Sequence, residues 1–409
     1  MSLHSHNGLS AAHPWPDIAQ ALLLRAALAG SQDAREAWAQ WQRATAGQTL
    51  DADSHRILPL LYRNLQALDV DADERARLKS VYLRYWSENQ VLFAEAEVAL
   101  RALGEHGIDT LVLKGLALTV AHYRDGGTRP MNDVDILVRP EDAQRAFDIL
   151  LDLGYVPTLD EPFERQRRTR HAIAMHNDVG RQLDLHWYAL YLSVDDTDLW
   201  RDSVALTIGD VPTRTLSAAD QLMHVCVHGV SGECPGPMRW IADGVTVIRT
   251  AGERLHWQRL VRRATACGCT VALGDALAHL AQYVAVPRWV IDSLRIAPHS
   301  RSERLAHRAA VRPFPYGNRY VLEWDRYRRR RAARLPGAEP NFAAHLVTHL
   351  DLRGYGELVR LLARAGLRVA RHGDRRAAVP VPPAVATRTV TRLGPRRHSP
   401  VAARDAAGE

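Results

Sequence analysis

The feature that most restricts what this chain can fold into is a change of hydrophobic period at residue 108. Before it, residues 16–103 carry apolar side chains at helical spacing, first Ile18, Leu22, Leu23 and Leu28, then Ile57, Leu60, Leu61 and Leu65. Pro59 falls inside the second set and predicts a helix that begins close to it. Residues 72–103 have no Gly or Pro and read as one long helix, or two broken near Ser87. From 108 the pattern shortens. Residues 108–113 are a β-type run ending at Lys114-Gly115, residues 116–123 are helical, and a loop R-D-G-G-T-R-P-M-N follows. Residues 133–138 are again strand-like, and Pro140-Glu-Asp opens a helix to about 153. Two further strands are expected at 171–176 and 182–187 around an Asn177–Gly180 turn, then a small hairpin at 204–208 and 211–216.

From Ser217, whose side chain is placed to cap a helix with Asp220 three residues on, the pattern is helical to about 370. This predicts an α+β protein. It has an N-terminal helical region (1–104), a sheet-bearing domain (105–216), a C-terminal helical domain (217–370) and a disordered basic tail (371–409).

Composition adds exclusions. The windows 21–29 and 111–121 are the most apolar, and each is short and carries a charge, so no membrane span is expected. The N-terminus lacks a basic start and an apolar run, and four cysteines are too few for a disulfide scaffold in 409 residues. A cytoplasmic protein is expected. The net charge of +7 admits a nucleic-acid partner but does not favour one. Only Lys79 and Lys114 of the 53 basic residues are lysines, an arginine bias typical of a GC-rich genome. The run at 326–334, interleaved with Tyr327, reads as a solvated helix face.

The chemistry lies in the acids. In a strand, residues two apart share a face, so Asp133 and Asp135 present two carboxylates side by side. Such a pair suits a hard divalent cation such as Mg²⁺ and the phosphates it orients. D-x-D alone is weak, and Asp51/Asp53, Asp69/Asp71, Asp71/Asp73 and Asp196/Asp198 repeat it. Those pairs sit at helix starts or in a polar turn. Only Asp133 and Asp135 interleave with V-x-I-L-V after a glycine loop. Asp184, between Leu183 and Leu185, is a third acid among β-formers, costly there unless paired or bound. If its strand neighbours the first, the three acids converge. Upstream, Lys114-Gly115 marks a strand-to-helix junction, where Gly admits close approach and a helix N-terminus attracts phosphate. Arg129 is placed either to contact phosphate or to brace the loop.

Together, K-G-x(13)-R-P-M-N-D-V-D-I-L-V and L-D-L-H-W resemble the DNA polymerase β-like nucleotidyltransferase superfamily. Within it the chain is most similar to the bacterial family of uncharacterised nucleotidyltransferases, over about residues 85–260. His224, His228, Gly229, Arg239 and Asp243 match that family's helical segment. The resemblance implies a mixed sheet with helices on one face, two Mg²⁺ ions (Mn²⁺ as an alternative) and transfer of NMP from an NTP. The acceptor is open between a small molecule, a peptide and RNA. By position it makes Asp133, Asp135 and Asp184 the metal-binding catalytic carboxylates, and Lys114, Gly115, Arg129 and Asn132 the nucleotide-binding residues. His186, His224, His228, Arg239 and Asp243 stand on the substrate side. The superfamily's usual Gly-Ser is Gly-Leu here, and Asn132 stands where toxin-like members often have Ser. A toxin-like tRNA nucleotidyltransferase and a non-catalytic nucleotide-binding accessory protein are the alternatives. His224, Cys226, His228 and Cys234 lack the paired C-x-x-C spacing of a zinc site, and Cys267-Gly-Cys269 reads as a helix-end turn.

Overall fold

The computed structural model describes residues 14–66, 71–231, 236–311, 318–335, 338–350 and 352–372. Asp69, Cys234, the start of the chain and residues 373–409 of the expected tail lie outside this set.

Three helices come first: α1 (Ile18–Leu28), α2 (Ser31–Ala44) and α3 (Ala52–Leu65). α3 begins seven residues before Pro59, because Asp51 caps it by accepting from the amides of Asp53 and Ser54. The proline is carried inside the helix, where its side chain is buried. α4 (Ala72–Glu105) runs unbroken through Ser87, capped by Asp71.

The sheet follows in chain order as β1 (Leu111–Val112), α5 (Lys114–Leu118), a π-helical turn (Thr119–Tyr123), β2 (Asp133–Leu137), α6 (Ala143–Asp152), β3 (Val156–Pro157), α7 (Phe163–Thr169), β4 (Ala172–His176), β5 (Gln182–His186), α8 (Thr197–Arg201), β6 (Val204–Ile208) and β7 (Val211–Thr215). The seven strands lie in the order β3-β4-β5-β2-β1-β7-β6. β2 runs parallel to β5 and antiparallel to β1; β4 is antiparallel to β5. The β4–β5 hairpin turns through Gly180 at φ +80°, a conformation that favours glycine. α7, α8 and β3 carry no clear sequence period and were not expected.

Strand alternation sorts the two faces. Val134, Ile136, Ile173, Met175, Leu183 and Leu185 point to one side and pack on α4 and α6 through Ala96, Leu100, Ala146 and Leu150. This is the α+β architecture expected, a mixed sheet with helices on that face. The other face carries Asp133, Asp135, Asp184 and His186.

The remaining helices are α9 (Ala218–Val230), α10 (Met238–Ala251), α11 (Trp257–Cys267), α12 (Thr270–Leu280), α13 (Arg288–Ile296), α14 (Arg301–Val311), α15 (Asn318–Ala332), α16 (Phe342–His349) and α17 (Tyr355–His372). α1 to α3 share one apolar core with α9 to α13, through residues such as Leu24, Leu61, Leu222, Ile241 and Leu277. Gly229 makes room in it for Trp240, since any Cβ there would collide with the indole. Gly268, at φ +61°, ends α11 between Cys267 and Cys269, as the sequence suggested.

α15 is not a solvated basic face. Tyr327, Asp325 and Glu323 are buried, and Arg329 donates to the carbonyls of Cys267 and Gly268 at 2.6 and 2.8 Å. Arg329 satisfies the open carbonyl end of α11, and Arg326 and Arg329 pair with the buried acids of their own helix, so this part of the charge run is an interface.

Candidate active site

The site is built by register. Asp135 of β2 pairs with Asp184 of the parallel neighbour β5, so both carboxylates leave the sheet on one face at one level. Asp133 is one step along the same face and half-buried, while Asp135 is buried. His186 lies two residues beyond Asp184, and its Nε2 donates to Asp135 Oδ1 at 3.0 Å. Lys114 reaches the same oxygen from the start of α5, with Nζ 2.5 Å away. Its backbone is left-handed at φ +44°, which costs a non-glycine residue about 1–2 kcal/mol. Next to it, a Cβ on Gly115 would lie 2.8 Å from Arg129 Nη1 and 3.1 Å from the Met131 side chain, so a larger residue would have to displace both.

The carboxylates divide electrostatically. Burial works against ionisation of Asp135, but Lys114 and His186 outweigh it and hold the carboxyl well below its usual range. Burial and the charges of Asp135 and Asp133 push Asp184 up to about 7, with Lys114 opposing. Burial and Asp135 also raise Asp133, against Lys114, Arg239 and Arg129. Burial alone would lower the Lys114 ammonium; the three acids reverse this and hold it above its ordinary value. Burial and Lys114 lower His186, and the contact with Asp135 opposes them.

The other expected residues are more spread out. Arg129 Nε and Nη2 donate to the two oxygens of Asp243, both at 2.8 Å, and Tyr123 donates to the same carboxylate. Arg129 therefore has the geometry of a loop brace, and Asp243 is its buried counter-ion. Asn132 is exposed, and its amide oxygen accepts from Arg56 at 2.7 Å in the orientation that satisfies both ends of the amide. His224 Nε2 bonds the carbonyl of Ala189 at 2.9 Å. Burial and Lys114 lower the His224 imidazole to about 4, and they lower His228 also. The two rings stack on one face of α9 with centroids 6.1 Å apart, and Cys226 is fully buried in the helical core. Arg239 is half-exposed at the start of α10, close enough for its charge to act on Asp133.

Residues 42–285, more than half of the chain, match the family described as uncharacterised nucleotidyltransferase. The chain belongs to that family. A comparison with curated proteins gives no match. Among solved structures, the chain is similar to the antibiotic-resistance factor ANT(2'')-Ia at 16% identity and TM-score 0.34, over 47% of this chain and 99% of that one. It is also similar to an antigenic nucleotidyltransferase-like protein from Paracoccidioides brasiliensis, at 16% identity and TM-score 0.33, over 52% of this chain and 94% of the other.

A nucleotidyltransferase of this family implies a divalent cation, and the donor set fits one. One ligand atom each from Asp135, Asp184 and His186 lies within 4.8 Å of the others, the one such group among the described residues. Asp133 adds a third carboxylate on the same face. Among the described residues, Lys114 is the cation in direct contact with this acid-rich surface.

The family motif does not reveal Asn89. This fully buried residue of α4 donates to the carbonyls of Gly126 and Arg129 and accepts from the Met131 amide. It fixes the loop that delivers Asp133. A lone Asn in a helical pattern gives no signal of that contact, which spans about forty positions of sequence.

Proposed function

We propose that the protein is a metal-dependent nucleotidyltransferase that moves NMP from an NTP to a hydroxyl or phosphate acceptor. The observation that carries this reading is the pairing of Asp135 with Asp184 on adjacent parallel strands, with Asp133 on the same face beside a glycine turn. Asp133, Asp135 and Asp184 would hold Mg²⁺, two ions or Mn²⁺ in its place, with His186 as a further donor or an anchor of Asp135. The cation would neutralise triphosphate charge and acidify the acceptor hydroxyl. The acceptor oxygen attacks the α-phosphorus in line, the bond from that phosphorus to the bridging oxygen breaks, and pyrophosphate leaves. Asp184, level with Asp135 on the same face, would take the proton of a hydroxyl acceptor. Gly115 lets Arg129 and Met131 pack against the start of α5, and Lys114 and Arg239 would offer the triphosphate cations. No helix of the described residues is long and apolar enough to cross a membrane. Cys226, Cys267 and Cys269 are unbridged, which supports the reducing cytoplasm as its location.

The test is incubation of purified protein with radiolabelled NTPs, Mg²⁺ and a cell extract. Label should pass to an acceptor, and Asp135→Asn should abolish the transfer. Equal labelling by that variant would refute the site. A second reading, nucleotide binding without turnover, is favoured by one observation: the Lys114 ammonium sits on Asp135. NTP binding by calorimetry with no transfer to any acceptor would select it.

A further inference from the structure

The register of β2 against β5 does more than align two acids. It pairs Asp133 with Gln182, Asp135 with Asp184, and Leu137 with His186. The strands are parallel, so Asp133 lies to one side of the central Asp135–Asp184 pair and His186 to the other. Asp133 is half-buried, whereas His186 is buried.

This arrangement offers a cation two unlike sets of donors. On the Asp133 side every donor is a carboxylate oxygen. On the His186 side, one ligand atom each from Asp135, Asp184 and His186 lies within 4.8 Å of the others, so an imidazole nitrogen joins two oxygens. Two observations argue that His186 does more than hold Asp135 in place. Asp135 Oδ1, the oxygen that His186 Nε2 faces at 3.0 Å, already takes the Lys114 ammonium at 2.5 Å, so that carboxylate is oriented without the imidazole. Asp184, in the same group of ligand atoms, forms no hydrogen bond or ion pair among the described residues. A partly buried carboxylate without a donor is a cost that a cation shared with its neighbours removes.

We infer that His186 is a metal ligand and that it makes the two cation positions of the site chemically different. The position on the Asp133 side takes Mg²⁺, which wants hard oxygen donors. The position at Asp135, Asp184 and His186 takes a divalent transition cation, Mn²⁺ or one later in the first row, in preference to Mg²⁺, because an imidazole nitrogen is a softer donor than an oxygen. This rests on the nucleotidyl-transfer reading and deepens it by naming the class of cation at one position. A cation on Asp135 Oδ1 displaces the Lys114 ammonium from that oxygen and leaves Lys114 to face the triphosphate.

The experiment adds Mn²⁺ to the full-length protein, carrying ¹⁵N in its histidine rings and saturated with an unlabelled, non-hydrolysable ATP analogue, and reads electron spin-echo modulation. Bound Mn²⁺ should show coupling to an imidazole ¹⁵N, a signal that the adenine ring cannot give. An excess of Mg²⁺ should remove the uncoupled Mn²⁺ and leave the coupled ion in place. His186→Gln keeps a side-chain donor for Asp135 but offers the cation no imidazole. It should abolish the coupling and weaken one Mn²⁺ about tenfold in calorimetry, while Mg²⁺ affinity changes by less than about threefold. Cooperative thermal unfolding shows that the variant folds, and the first two readings need no variant. Bound Mn²⁺ without imidazole coupling overturns the inference and leaves the nucleotidyl-transfer reading intact. Coupling that persists in His186→Gln, or equal removal of both ions by Mg²⁺, does the same. Failure of the unaltered protein to bind Mn²⁺ at all would bring down the metal-dependent reading along with it.

Discussion

Arg129–Asp243 and Lys114–Asp135 are both buried cation–carboxylate pairs within one small region, but they are built differently. The first is bidentate, with a tyrosine completing the carboxylate shell, and it ties the loop before β2 to α10. The second is a single contact from a residue with strained backbone to a carboxylate that has two more acids on the same face. A closed pair with all of its geometry satisfied has a structural part to play. A monodentate pair amid surplus negative charge can be exchanged, with a cation replacing the ammonium. The difference teaches that burial and ion pairing alone do not locate a functional acid; the balance of charge around the pair does.

The largest expected effect breaks the open pair. Asp135→Asn should lower NMP transfer by about a thousandfold, the upper range for loss of one electrostatic contact at a reacting centre. Its melting temperature should stay close to that of the unaltered protein, because removing one acid also relieves repulsion with Asp184 and Asp133. Transfer within tenfold of the unaltered protein would show that the pair is not the catalytic one.

The second effect breaks the closed pair. Arg129→Met leaves Asp243 buried without its cation and should cost about 3–5 kcal/mol in urea unfolding. A loss under 1 kcal/mol would mean that the two pairs do not differ as argued.

This contrast also marks what was legible in the sequence. β2 and β5 could be read because their acids alternate with Val, Ile and Leu, and a period of two assigns the faces without knowledge of the partner strand. The pairing of residues 135 and 184 could only be posed as a condition, since register depends on hydrogen bonds between segments far apart. Arg129 left two roles open for the same reason: Asp243 lies 114 positions away. The run at 326–334 misled because local charge density looks alike on a wet face and on an interface with carbonyl ends and buried acids. Pro59 misled because a cap placed eight residues earlier outweighed the preference of proline for the first turn. Lys114-Gly115 gave the turn but not the positive φ, which appears one residue before the glycine.

The third effect probes that strain. Lys114→Gly removes a left-handed lysine, a relief of about 1–2 kcal/mol, and also removes the contact to Asp135. The two changes oppose each other, so stability should move by less than about 1 kcal/mol while NTP affinity falls about tenfold. A fall in stability as large as that of Arg129→Met would place Lys114 with the structural pairs.

The smallest effect tests a third buried carboxylate, one whose partners are imidazoles. Glu323 of α15 is bound at 3.1 Å by His345 through one oxygen and at 3.1 Å by His349 through the other. Burial would raise its carboxyl, but the two histidine contacts and Arg326 outweigh it and hold the group well below the ordinary glutamate value of 4.5. A carboxyl depressed in the folded state binds fewer protons there than in the unfolded chain. Its contribution is therefore fully present above pH 4.5 and is lost as pH falls through the folded-state value. Urea unfolding from pH 6 to pH 3 should show stability falling with acidity, and Glu323→Gln should flatten that slope. An equal slope in the variant would assign the acid sensitivity to other carboxylates and leave the α15–α16 contact as a matter of packing.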